Sequence, residues 1–223
     1  MNLLGIDTSA ECTHIVLSKG DKIKAIKFKR QFNHYPDSSF LSKMDKLLKS
    51  NSIKLKDLDG FIIGRGPGSF TGLRVGFATV FGVNFVFNKP VIGISSLDFI
   101  AWNARNMDFD NICVVQDARR ALVYGCIYKI ESGRVVKKSS YLLIRPDDFV
   151  KMIPDNSCVL GTGIDSCKDM FRGFKLLNEN YWKIKPEAII DLGKRIIQRK
   201  GLSYFKSKVL PLYLYDKECQ IRK

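Results

Sequence analysis

One order of elements occurs twice along this chain, and that repetition constrains its fold more than any single motif. The apolar run NLLGID ends in Asp7. CTHIVLSKG follows, alternating like a strand, and KIKAIKFKR alternates Lys with Ile, Ala and Phe as a half-buried strand of period two does. Phe40, Leu41, Met44, Leu47 and Leu48 then fall on one stripe of an amphipathic helix, with Asp37 or Ser38 as its N-cap. LDGFIIG reads as a buried strand, an apolar helix extends to about Asn88, PVIGISS is a strand and SLDFIAWNA a short helix. The second half begins again with NICVVQD, a strand ending in Asp117. ALVYGCIYKI and RVVKKSSYLLI continue as strands, PDDFVKM opens a helix with Pro at its first position, SCVLGTG is a strand and DSCKDMF a helical turn or two. A clear helix runs from Pro186 to Gly201. The two halves share this order but no sequence similarity. A duplicated α/β unit fits, each copy a mixed sheet carrying helices. The polar stretch Asn103–Asp110 is the join, giving domains of 1–103 and 104–223.

Composition narrows the class. With 223 residues, 45% hydrophobic and 26% charged, the chain has the makeup of a soluble globular protein long enough for a sizeable core. Its net charge is +15, from 37 Lys and Arg against 22 Asp and Glu. That excess fits a nucleic-acid partner or a lysine-rich solvated surface; the basic residues are scattered, with no basic tail. The six cysteines form no C-x-x-C pair, and most lie in apolar runs, as reduced cysteines of a cytosolic protein do. Only His14 and His34 are present, which argues against a His-rich metal centre, and no metal or cofactor is expected. The longest apolar run, Val75–Phe87, is shorter than the ~20 residues of a membrane span. It holds Asn84, and the expectation is a helix buried against protein.

Four motifs are candidates for chemistry. In GIDTSAE, Asp7 ends the first strand and precedes Thr8 and Ser9. A strand-end carboxylate followed by hydroxyls suits a phosphate and its magnesium, or a turn that hydrogen-bonds its own backbone. QDARR is the counterpart, with Asp117 either facing Asp7 across a cleft or capping a turn with the arginines behind it. GTG, with Gly161 and Gly163, lies where an adenosine would be gripped in a two-lobed nucleotide fold, and equally suits a plain strand-to-helix turn. GRGPGSFTGLRVG, Gly64 to Gly76, looks like a phosphate loop but has no Lys before its hydroxyl residue. It fails the dinucleotide fingerprint as well. Ser69 is placed to cap the helix that follows.

That helix suggests assembly. Gly72 and Gly76 share a face, and each interior glycine costs ~1 kcal/mol against alanine, which close approach of another helix would offset. With Phe70, Leu73, Phe77, Val80, Phe81 and Phe85, the helix is apolar nearly all round and must be covered on every side. The stripe of Phe40, Leu41, Met44 and Leu48 would supply part of the cover and a second chain the remainder.

LLGIDTSAE, GRGPGSFTGLRVG, DARRALVYGCIY and PLYLYDKE, in this order, resemble the TsaB/YeaZ family of bacterial tRNA threonylcarbamoyladenosine biosynthesis proteins over almost the whole chain. The resemblance implies two ribonuclease-H-like lobes of the actin/Hsp70/sugar-kinase group. It implies a non-catalytic cytoplasmic subunit that pairs with a TsaD-like paralogue, which modifies N6 of adenosine 37 in tRNAs reading ANN codons. A TsaE-like ATPase joins the pair, tRNA is met through the complex, and homodimers form through helices of the first lobe. On this view Phe40, Leu41, Met44, Leu48, Phe70, Gly72, Leu73, Arg74, Gly76 and Phe77 lie at the partner interface. Asp7, Thr8, Ser9, Asp117, Gly161 and Gly163 are relics of a nucleotide site. The alternatives are an ATP-dependent phosphotransferase of the same superfamily and a glycoprotease-like peptidase. The chain departs from the family at NHYPDSSFL, where Pro36 stands in place of the family's histidine and His34 lies two residues early.

Overall fold

A computed structural model describes residues 1–29, 39–202 and 209–215. The proposed N-cap at Asp37 or Ser38, His34, Pro36 and the end of PLYLYDKE lie outside these residues. The chain divides into two compact units, one of residues 1–96 with 186–212, the other of residues 97–185 with 213–223.

The first unit holds a five-stranded sheet of β1 (Asn2–Asp7), β2 (Cys12–Lys19), β3 (Lys22–Lys29), β4 (Gly60–Gly64) and β5 (Val91–Ile94), in the order β3-β2-β1-β4-β5. β1, β2 and β3 form an antiparallel meander, while β4 and β5 run parallel to β1. β1 is buried from Leu3 onward and β4 throughout, as strands covered on both faces must be. The helices α1 (Ser39–Ser50) and α2 (Phe70–Phe87) cover one face. There Phe40, Met44, Leu47 and Leu48 of α1 and Phe77 and Val80 of α2 share a core with Leu4, Ile6, Ile15, Leu17, Phe61 and Ile63. α6 (Pro186–Lys200) covers the opposite face, with Ile189 against Gly5 and Gly193 against Ile62. Chain order groups this helix with the second half, but its Ile189, Ile190 and Ile197 have their apolar cover on the first sheet.

The second unit repeats the topology. β6 (Asn111–Arg119), β7 (Leu122–Glu131) and β8 (Arg134–Lys137) form the meander, and β10 (Ser157–Leu160) and β11 (Lys175–Leu176) extend it in parallel, in the order β11-β10-β6-β7-β8. The expected third strand is two pieces. β8 and β9 (Leu142–Ile144) each pair with β7, and the polar KSS between them breaks the run. The boundary helix α3 (Ser96–Trp102) and the short α4 (Pro146–Val150) and α5 (Gly163–Ser166) complete the elements used below. Position by position the two sheets follow one plan: a strand ending near an aspartate, continued as an antiparallel meander on one side and flanked by two parallel strands on the other.

Candidate functional site

Asp7 is fully buried at the end of β1, and its carboxylate is occupied by its own unit. Oδ1 accepts hydrogen bonds from the Ser9 backbone N–H (2.9 Å) and hydroxyl (2.8 Å), and Oδ2 accepts from the Ser96 hydroxyl (2.7 Å). Three donors satisfy a buried charge that would otherwise be costly to hold. Thr8 and Ser9 are buried with it. The Gly64–Ser69 loop closes over this turn. Ser69 N–H donates to the Ser9 carbonyl (2.7 Å), and the Gly66 carbonyl accepts from Ser96 N–H and the Ser95 hydroxyl (both 2.9 Å). Gly64 and Gly68 are required here. A side chain at Gly64 would overlap the Asp7 carboxylate, and one at Gly68 (φ +156°) would meet the Ser9 carbonyl. The loop that resembles a phosphate cradle is therefore packed with protein.

The C-terminal strap fastens the same loop: Arg65 donates from Nε to the Leu210 carbonyl, and its own carbonyl accepts from Leu212 N–H (both 2.7 Å).

His14 lies directly across the β1–β2 ladder from Asp7 and is buried. Among the described residues neither ring nitrogen has a hydrogen-bond partner. Burial holds its pKa below the ordinary 6.5; Asp7 opposes that shift and Lys27 adds to it. The unfolded chain lacks this burial, so it binds more protons as pH falls through 6.5. The His14 contribution is complete above that value and is lost progressively below it, by at most about 1.4 kcal/mol per pH unit. Chemical denaturation between pH 7 and 5 is expected to show this loss in the wild type and a shallower one in His14→Gln.

Ser69 caps α2 as expected, its hydroxyl accepting from Gly72 N–H (3.2 Å). The helix then presents two opposed apolar faces. Gly72, Leu73, Gly76, Phe77, Val80 and Asn84 point into the first unit. Thr71, Arg74, Val75, Ala78, Phe81, Gly82, Phe85 and Val86 are exposed, with Phe85 89% and Val86 77% accessible. By length and composition α2 would suffice to cross a membrane, but its inner face is part of the core.

This placement divides the expected interface set. Leu41 is 53% exposed on α1, Arg74 is exposed and stacks over Phe70 (3.8 Å), and Phe70 is half-buried. Phe40, Met44, Leu48, Gly72, Leu73, Gly76 and Phe77 are buried within their own unit. The notch at Gly76 does not receive a partner helix: a side chain there would overlap the side chain of Thr8, the residue that follows β1, and Gly72 is buried in the same unit. The close approach inferred from glycine spacing is real at Gly76, but its second surface is the chain's own turn after β1. Gly82, with open space around it, is the small residue on the outer face.

In the second unit Asp117 is exposed. Its Oδ1 accepts from Arg119 N–H (2.8 Å), which is the local turn pattern, and its N–H donates to the distant Thr162 hydroxyl (3.1 Å). Gly161 (φ +128°) and Gly163 are buried against Val115, where a side chain on either would overlap the strand. Their spacing reflects strand-to-helix packing. Burial raises the Cys113 thiol to about 12 and Cys158 to about 11, which disfavours the nucleophilic thiolate at both. No group of three or more His, Cys, Asp or Glu suited to a metal occurs among the described residues.

Two mixed sheets of one topology, each opening with an aspartate-ended strand and flanked by helices, define a duplicated ribonuclease-H-like protein of the actin-like class. The sequence model of the tRNA N6-adenosine threonylcarbamoyltransferase family, TsaD, matches residues 37–159. The chain belongs to this family, on the branch represented by the TsaB and YeaZ proteins. It is 36% identical over 126 residues to the tRNA threonylcarbamoyladenosine biosynthesis protein TsaB of Haemophilus influenzae, covering 56% of this chain and about half (52%) of that protein. It is 25% identical to TsaB of Buchnera aphidicola over 96% of this chain and 98% of the other. YeaZ from Pseudomonas aeruginosa has the same fold, with a TM-score of 0.78 at 23% identity, covering 95% of this chain and 100% of that one.

Proposed function

We propose that this chain is a non-catalytic subunit of tRNA threonylcarbamoyladenosine biosynthesis that docks on a TsaD-like paralogue through the outer face of α2. The observation that carries the reading is the exposed stripe Val75, Ala78, Phe81, Phe85 and Val86 on a helix whose other side is fixed in the core. Scattered exposed apolar residues are ordinary, but a contiguous stripe marks an interaction surface. The partner subunit performs the transfer to N6 of adenosine 37 in tRNAs reading ANN codons, a TsaE-like ATPase joins the pair, and tRNA is met through the assembly in the cytoplasm. The same stripe pairs two copies of this chain when the paralogue is absent. A membrane surface is the competing occupant, and liposome flotation of the isolated chain separates the two: recovery with the lipid would count for the membrane.

An ATP-dependent phosphotransferase is the weaker reading, because the Asp7 carboxylate is saturated by Ser9 and Ser96 beneath a packed loop. Titration of the isolated chain with Mg-ATP is expected to give equally weak heats for the wild type and Asp7→Asn. Micromolar affinity in the wild type, lost in the variant, would favour the phosphotransferase.

A further inference from the structure

We infer that the β6–β7 hairpin tip, Arg119–Arg120, is a direct contact for the phosphate backbone of RNA. Arg119 pairs with Leu122 across the hairpin, so Arg120 and Ala121 form a two-residue loop. All three residues before Leu122 are left-handed: Arg119 (φ +64°), Arg120 (φ +53°) and Ala121 (φ +56°). Two-residue loops of this hand ordinarily take Asn–Gly, because side chains with a Cβ resist positive φ. Three successive non-glycine residues there are disfavoured, and such strain persists where the surrounding structure imposes it and function uses it.

The surrounding structure does impose it. The Asp117 carboxylate holds Arg119 N–H, and the Tyr215 hydroxyl donates to the carbonyls of Ala118 (2.9 Å) and Arg119 (3.3 Å). Arg120 lies over the Tyr215 ring at 5.9 Å. The result is two exposed arginines on a stiff mount. Most basic residues of this chain are lysines, yet this tip carries two adjacent arginines, the side chain suited to forked recognition of phosphate. Asp117 is the nearby acid, and one of its oxygens is engaged by the turn. The net charge of +15 favours a polyanion over an acidic peptide as occupant. The inference rests on the proposed role in tRNA modification and adds to it a contact made by this chain itself.

The test measures binding of an unmodified tRNA transcript to the full chain across a salt series, for the wild type, Arg119→Ala and the double variant Arg120→Asn with Ala121→Gly. Each variant is expected to bind several-fold more weakly and to lower the slope of log K against log salt by about 1. The double variant is also expected to unfold about 3 °C higher, since Asn–Gly relieves the turn. A purely structural turn would gain stability and leave the slope unchanged, and that result would overturn the inference. So would absence of wild-type tRNA binding, an equal loss in Lys24→Ala on β3, or equally tight binding of poly-glutamate. Docking on the TsaD-like paralogue is measured separately by sedimentation. Intact docking with unaltered tRNA binding defeats this inference alone, whereas lost docking with tip-dependent tRNA binding defeats only the proposed function.

Discussion

Phe85→Asp is expected to weaken association with the TsaD-like paralogue by a factor of about 100 or more, with little change in thermal unfolding. Phe85 is 89% exposed and contributes nothing to the core of its own unit. Burying a phenylalanine in a partner is worth about 1.5–3 kcal/mol, and a buried unpaired carboxylate in its place adds a desolvation cost. Together these reach at least about 3 kcal/mol, two factors of ten at 1.4 kcal/mol each. Sedimentation velocity of the mixed proteins measures the first quantity and differential scanning fluorimetry the second. The same variant should abolish self-association, because one face is proposed to serve both pairings. A large fall in melting temperature would mean that Phe85 supports the fold, contrary to its exposure.

Gly76→Leu is expected to do the reverse. The new side chain would be forced into Thr8, beside the Asp7 turn, where overpacking costs about 3 kcal/mol or more. Loss of the cooperative unfolding transition, or a fall in melting temperature of roughly 6–12 °C, should accompany it in the isolated chain. A folded Gly76→Leu protein that fails only in docking would restore the partner-facing role inferred from glycine spacing. Gly82→Leu is the informative companion, since Gly82 faces open space and its substitution should leave the fold intact.

The contrast between these glycines shows where sequence reasoning reached and where it stopped. The apolar run NLLGID, the alternation of KIKAIKFKR, the Phe40–Leu48 stripe and the paired strand-end aspartates sufficed to recover the duplicated mixed sheets, because a strand buried on both faces reads as continuously apolar and an element buried on one side leaves a period in the sequence. α2 leaves no such period. Its inner Leu73, Phe77 and Val80 and its outer Val75, Phe81 and Phe85 are equally apolar, so no polar face marks which side meets the sheet. Glycine spacing shows that something approaches closely at Gly76, but not that Thr8 of the same chain is what approaches. The affiliation of α6 was hidden for a different reason. Its stripe announces burial, but local sequence carries no record of which of two similar sheets it covers. At Asp7 the hydroxyl-rich turn fits a phosphate or its own backbone equally well until Ser96, 89 residues away, is seen donating to the same carboxylate.

The central claim is that the outer face of α2 is covered by another protein chain, and oxidative footprinting of its side chains tests this most directly. Val75, Phe81, Phe85 and Val86 are compared in the isolated chain, held dilute, and in its mixture with the TsaD-like paralogue. The account predicts strong protection of these four positions in the mixture, while exposed Met152 and Met170 in the second unit react as before. A stable complex in which Phe81 and Phe85 stay as reactive as in the free chain would contradict it.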